Sequence, residues 1–183
     1  MNGWQNVSET NADKALGVRL DYAPGRRVAL AYAAFLGNEQ PDSLPRRVRV
    51  FQEGVLRLEV SPRLGLIGTV DYGVQRRHSG QGRAAWRGFS LVGRYRATRR
   101  LALGARAERY SDPEQVVVAT GTSSGLRASG GSLNLDVTPH RRLLWRTELR
   151  ALTARSRVFP ARDADGGLQR SDVAIVSSLA LTF

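Results

Sequence analysis

The residues best placed to do chemistry in this chain are arginines and carboxylates that share one parity along extended stretches. They include Arg94 and Arg96, Arg106 and Glu108, Asp136, and then Arg146, Glu148 and Arg150. Arg19, Arg47, Arg49 and Arg57 follow the same rule, as do Asp21, Glu53, Glu59, Asp71 and Asp172. At spacing i, i+2 on an extended chain, side chains project from one face. Guanidinium and carboxylate groups so arranged can do two things. They can form a ladder of charge-assisted pairs that holds strand register, or line a water-filled passage whose charge sets ion preference. The two roles are compatible. The runs Arg106/Glu108 and Arg146/Glu148/Arg150 are the densest, and their slight arginine surplus favours anions.

Other chemistry is poorly supported. Gly80-Gln81-Gly82 begins a G-x-G-x-x-A match ending at Ala85, but no helix pattern follows it, as a dinucleotide site requires. Asp163-Ala164-Asp165-Gly166 lacks the third acidic ligand and closing glutamate of a calcium loop. His78 and His140 have no serine–carboxylate partners in view. Gly121-Thr122-Ser123-Ser124-Gly125 reads as a flexible loop without the lysine of a phosphate-binding loop. There are no cysteines, which removes thiol nucleophiles and disulfide frameworks. The sequence points to no catalytic residue, metal or cofactor.

The elements that must position the charges are strands, because the hydrophobic period is two. Leu16, Val18, Leu20 and Tyr22 alternate with Gly17, Arg19 and Asp21, and Val28, Leu30, Tyr32, Ala34 and Leu36 continue after Pro24-Gly25-Arg26. Similar alternation runs over 48–60, 64–75, 89–96, 101–110, 133–137, 143–151 and 172–183, about nine strands in all. Gln52 breaks the pattern in mid-strand, which a bulge would explain. Three-residue turns at 24–26, 61–63, 98–100 and 139–141 alternate with longer polar loops near 38–46, 77–85, 111–124 and 156–168. Outer-membrane barrels sort their connections in this way, with short turns on the periplasmic side. A soluble sandwich has no reason to do so.

No apolar run reaches the ~18–20 residues of a membrane helix. A barrel needs none, since its membrane signal lies in alternation. With 28 Lys+Arg residues against 16 Asp+Glu, the formal charge of +12 calls for anionic partners. The arginines interleave with carboxylates rather than clustering among stacking aromatics, which argues against nucleic acid. Apolar side chains on one face would meet lipid and charged ones an interior space. Arginines that break this rule, such as Arg109 and Arg127, fall near strand ends. Tyr22, Tyr72, Trp86, Phe89 and Tyr95 suit interfacial girdles. Arginines in turns and loops read either as solvated side chains or, at some positions, as partners for lipid phosphates.

The final strand alternates up to a terminal Phe183, which resembles an outer-membrane insertion signal read by the barrel-assembly machinery. Further matches lie in Asn2-Gly3-Trp4 with Asn6 and Asn11 and in Ala105-Arg106-Ala107-Glu108-Arg109-Tyr110-Ser111-Asp112. Val137-Thr138-Pro139, followed by Arg146-Thr147-Glu148-Leu149-Arg150, adds another. Together these residues resemble the β-barrel porin family known as OmpL-like. The resemblance implies a single all-β, antiparallel, up-and-down transmembrane barrel. It also implies an outer-membrane location with lipid and lipopolysaccharide as partners, and passive passage of small hydrophilic solutes or ions. The opening Met1-Asn2-Gly3-Trp4 lacks a secretory leader, and nine strands with both chain ends on opposite sides is an odd count. Residues 1–183 are therefore expected to be the C-terminal part of the barrel, with further strands upstream. A plugged structural or receptor barrel and an autotransporter translocator remain open as alternatives.

Overall fold

The computed structural model describes residues 11–77, 81–162 and 166–183. His78, Gly80 and Asp163-Ala164-Asp165 lie outside these residues, as do Asn2-Gly3-Trp4 and Asn6. Nine strands form one antiparallel sheet in chain order. They are β1 (Leu16–Tyr22), β2 (Val28–Asn38), β3 (Val48–Ser61), β4 (Leu64–Arg76), β5 (Arg83–Arg96), β6 (Leu101–Asp112), β7 (Leu126–His140), β8 (Leu143–Ala154) and β11 (Ser171–Leu181). A two-residue hairpin, β9 (Phe159–Pro160) with β10 (Leu168–Gln169), sits in the last long connection. Strands β2 to β8 run 11–15 residues, long enough to cross a bilayer at a tilt. No helix among the described residues is long and apolar enough to cross a membrane.

The up-and-down order follows from the sorted connections. Each short turn joins antiparallel neighbours at one end, and each is tied to the next strand by the same bond. The carbonyls of Arg27, Arg63, Arg100 and Arg142 accept from the backbone N–H of Glu59, Arg96, Thr138 and Thr182, at 2.7–2.9 Å. The long loops gather at the other end. Among the described residues β1 pairs only with β2 and β11 only with β8, so the sheet has two open margins.

The two faces differ as the period predicts. Leu16, Leu20, Leu133, Ile175, Leu179 and Leu181 are each more than 60% exposed, and Leu30, Leu36, Leu56, Val70, Phe89, Leu103 and Leu149 on the other strands are exposed on that same outer face. A water-soluble β fold of this length would bury them, since apolar burial drives folding in water. The opposite, inner face carries the charges. The sheet has no leucine-valine core: its buried hydrophobics are Phe35, Phe51, Ala84, Trp86, Ala102 and Ala154, all on the inner face.

Several expectations need correction. Gln52 is not at a bulge. It pairs in register with Ala34 and Tyr72, and its Oε1 accepts a hydrogen bond from Tyr32 Oη at 2.9 Å. The outer face thus satisfies its own polar break, and the register shift in β3 lies at Glu59/Ser61 instead. The connection expected at 139–141 tightens, because β7 continues to His140 and pairs it with Leu143. Strand β5 begins at Arg83 and β7 at Leu126, several residues earlier than the hydrophobic alternation shows. Both early segments carry inward small or aromatic residues that the apolar pattern does not register.

Trp86 is the clearest correction. It is no girdle residue: it lies inside, 2% exposed, stacked on Phe51 with ring centroids 6.5 Å apart. Gly73 stands opposite it in register, and a Cβ there would come within 2.0 Å of the indole. Gly73→Ala should therefore expel the Trp86 ring, at a cost of about 1–3 kcal/mol for overpacking. In a chain whose other tryptophans, Trp4 and Trp145, are changed to phenylalanine, its fluorescence should shift to the red. An unshifted spectrum would show that the ring has room the structure does not give it.

Candidate pore wall

The inner-face charges form two linked clusters. In the first, Asp136 on β7 is 4% exposed and receives two arginines. Arg146, its direct register partner on β8, donates from Nε and Nη2 to the two carboxylate oxygens at 2.6 and 2.7 Å. Arg94 on β5 donates to Asp136 Oδ2 at 3.1 Å. In the second, Glu108 on β6 accepts from Arg150 Nη2 at 2.5 Å through one oxygen, and the other lies 2.6 Å from Arg106 Nη2. Bidentate and shared pairings of this kind are the stronger class of ionic hydrogen bond.

Two of these contacts leap a strand. Arg94 reaches β7 across β6, where Gly104 and Ala102 stand in the intervening positions. Arg150 reaches β6 across β7, where the intervening residues are Gly130 and Ser132. Next-nearest strands are about 9.6 Å apart, so only a long side chain passing over small residues can make the contact. The sequence supplies both parts, yet adjacent-strand pairing alone does not anticipate the leaps. Glu148 shares the inner face opposite Asn134, between Arg146 and Arg150. Arg96 is exposed and borders a hollow at the short-turn end with Arg57, Glu59, Arg63 and Arg94. The inward side chains singled out in the sequence therefore do share one face, and six of the eight make the two carboxylate-centred clusters.

Toward the long-loop end the wall changes character. Phe35, Phe51 and Trp86 form an inward aromatic cluster, with the Arg49 guanidinium 5.6 Å from the Trp86 ring. Arg49 Nε also donates to Gln75 Oε1 at 2.8 Å. Val116 and Val117 of the β6–β7 loop pack onto this cluster, so the loop turns inward over the sheet. Asp112 is its anchor. Its side chain is fully buried, and its carboxylate accepts from the backbone N–H groups of Val116, Val117 and Val118 at 2.8–2.9 Å. Gln115, at φ 55°, accepts from the N–H groups of Thr120 and Gly121 and donates to the Thr122 carbonyl. Gly125, at φ 59°, closes the loop where a Cβ would fall 2.3 Å from the Asp112 carbonyl oxygen. The segment 121–125 is consequently an ordered turn rather than the flexible loop expected. From the neighbouring loop, Arg77 holds Glu114 through two hydrogen bonds of 2.6 and 2.9 Å, which raise the arginine above its ordinary pKa. Sequence reasoning missed this loop anchor, although Asp112-Pro113 at the end of an alternating run is a turn signal.

A concavity of about 890 Å³ lies between loop and wall, lined by Glu53, Asp71, Arg106, Glu108, Tyr110, Val117 and Arg150 among others. A charged inner wall, an apolar outer belt and sorted connections together make a membrane channel wall. A family model described as "Putative beta-barrel porin-2, OmpL-like" matches residues 1–183. The chain belongs to this porin family. Its fold is also similar to that of a NanC porin crystal structure, at TM-score 0.57 and 11% identity, covering 93% of this chain and 79% of that one. No curated protein matches the chain in sequence. Family and fold are those of a β-barrel porin. Phe183, in this porin, is fully exposed two residues beyond the end of β11.

Proposed function

We propose that this porin conducts small hydrophilic solutes and ions passively across the bacterial outer membrane, with a weak preference for anions. The observation that carries the reading is the division of the sheet: Asp136 and Glu108 with their arginines on one face, bare leucines and valines on the other. The outer belt suits lipid, and the charged face suits water. Each of the two cluster carboxylates holds two guanidiniums, so with Glu148 between them the four arginines leave this part of the wall one net positive charge. The open margins of the sheet support a barrel that further strands complete. Phe183 and the amphipathic β11 would be the segment handed to the barrel-assembly machinery, and membrane lipid and lipopolysaccharide the surrounding partners.

Reversal potentials across planar bilayers under a salt gradient test the charge claim. The wild-type channel should favour chloride over potassium slightly. Glu108→Gln should increase that preference by roughly twofold, because it frees Arg106 and Arg150 from their shared carboxylate. A cation-preferring wild type would overturn the assignment of sign. The inward Val116–Val117 segment also gives a plugged barrel a specific observation in its favour. A folded, inserted protein with no conductance would establish that second reading.

A further inference from the structure

Five strand arginines lie on the wrong face: Arg76 and Arg83 pair at the very ends of β4 and β5, and three more lie further along the wall. Arg87 on β5, Arg109 on β6 and Arg127 on β7 share the parity of Phe89, Leu103 and Leu133, on the apolar outer side, and all three are exposed. They are neighbours. Arg87 and Arg127 flank Ser111 in register from either side, and Arg109 lies two residues along β6 from that serine. Strand spacing of about 4.8 Å places Arg87 and Arg127 roughly 10 Å apart, with Arg109 between them and about 7 Å down the strand. None of the three is in an ion pair among the described residues, whereas the inner-face arginines 94, 106, 146 and 150 and the loop arginine 77 each hold a carboxylate. They border a shallow outer groove of about 350 Å³ with Tyr72, Ser111, Pro113 and Glu114, whose carboxylate is already held by Arg77.

An arginine surplus in the whole chain does not explain a patch this local. Like charges on adjacent strands repel, and a lipid-facing arginine is tolerated only near the interface. The patch meets that second condition at the long-loop end of the wall, the extracellular end in a barrel with short periplasmic turns. What offsets the repulsion at that height is an anion, and the guanidinium fork matches phosphate.

We propose that Arg87, Arg109 and Arg127 bind the phosphate groups of a phosphorylated glycolipid in the outer leaflet. The inference rests on the membrane-channel reading above. Tyr72 and Ser111 add hydroxyls suited to the sugar between such phosphates, and Phe89 and Leu133 continue toward the acyl chains.

The test uses the full chain extracted in detergent and examined by native mass spectrometry with added lipid A, dephosphorylated lipid A, phosphatidylglycerol or inorganic phosphate. Wild type should retain lipid A over the dephosphorylated form. The triple variant R87Q/R109Q/R127Q should lose about a factor of five in affinity per arginine, on the order of a hundredfold together. The triple lysine variant, which keeps the charge but not the fork, should fall between. Equal binding of the dephosphorylated lipid, or an unchanged glutamine variant, would overturn the proposal. So would displacement by inorganic phosphate at the concentration of the lipid, which would mark a free-anion site, or equal retention of phosphatidylglycerol. Conductance in neutral bilayers separates the two readings. A conducting glutamine variant that has lost lipid A selectivity supports both, a conducting wild type without that selectivity overturns this inference alone, and a wild type that never inserts overturns the channel reading beneath it.

Discussion

Leu133→Arg should prevent this chain from folding into membranes. Leu133 is at the centre of β7 and 64% exposed. In water, replacing so exposed a side chain would change stability by no more than about 0.5 kcal/mol. At the midplane of a bilayer an outward arginine costs about 2–4 kcal/mol, enough to lower the equilibrium constant for folding into the membrane by one to three orders of magnitude. The neighbouring Asn134→Arg is the control, because Asn134 lies on the inner face opposite Glu148. Heat-modifiable gel mobility of the full-length product in membranes measures both. The folded band should disappear for Leu133→Arg and persist for Asn134→Arg. Equal persistence would mean that the exposed leucines of this sheet do not face hydrocarbon.

The second large effect belongs to Asp112. Asp112→Ala strips the acceptor from three backbone N–H groups at once. Each buried donor left without a partner costs about 1–3 kcal/mol, but the loop can relieve that cost by leaving the wall and finding water. The expected outcome is therefore a release of the loop rather than an unfolded barrel. Val116 and Val117 would leave Phe35, Phe51 and Trp86, and the lumen would widen. Single-channel conductance should rise and become noisier, while heat-modifiable mobility stays. Asp112→Asn keeps one acceptor oxygen and should give an intermediate conductance. An Asp112→Ala channel with wild-type conductance would show that the inward loop does not narrow the path.

The strand order and the identity of the two faces were legible in the sequence because both are periodic. Leu16 to Tyr22 or Leu143 to Ala151 announce themselves at every second residue, and the parity of Asp136 or Arg150 follows without reference to any partner. Trp86 lies outside the visible apolar alternation of its strand, which starts only at Phe89. Carried back by two steps of two residues, the parity of Ser90 passes through Gly88 to Trp86 and puts the indole inside, opposite a glycine with room for it. The same shortened strand hid Arg87, and with it the third member of the outer arginine patch. The strand-leaping contacts of Arg94 and Arg150 were not legible, since they depend on small residues of an intervening strand being in register with a long side chain. Nor was the Asp112 anchor, because a carboxylate gathering N–H groups four to six residues ahead has no fixed sequence signature.

The unpaired margins of the sheet bear on how the molecule enters a bilayer. Among the described residues no further strand pairs with the outer edges of β1 and β11, and hydrocarbon charges several kcal/mol for each backbone amide or carbonyl left unpaired. A partly assembled wall therefore cannot wait inside lipid as a stable intermediate. Its seams must stay in contact with water, or against another protein's strand, until they are zipped, so insertion and closure are a single event.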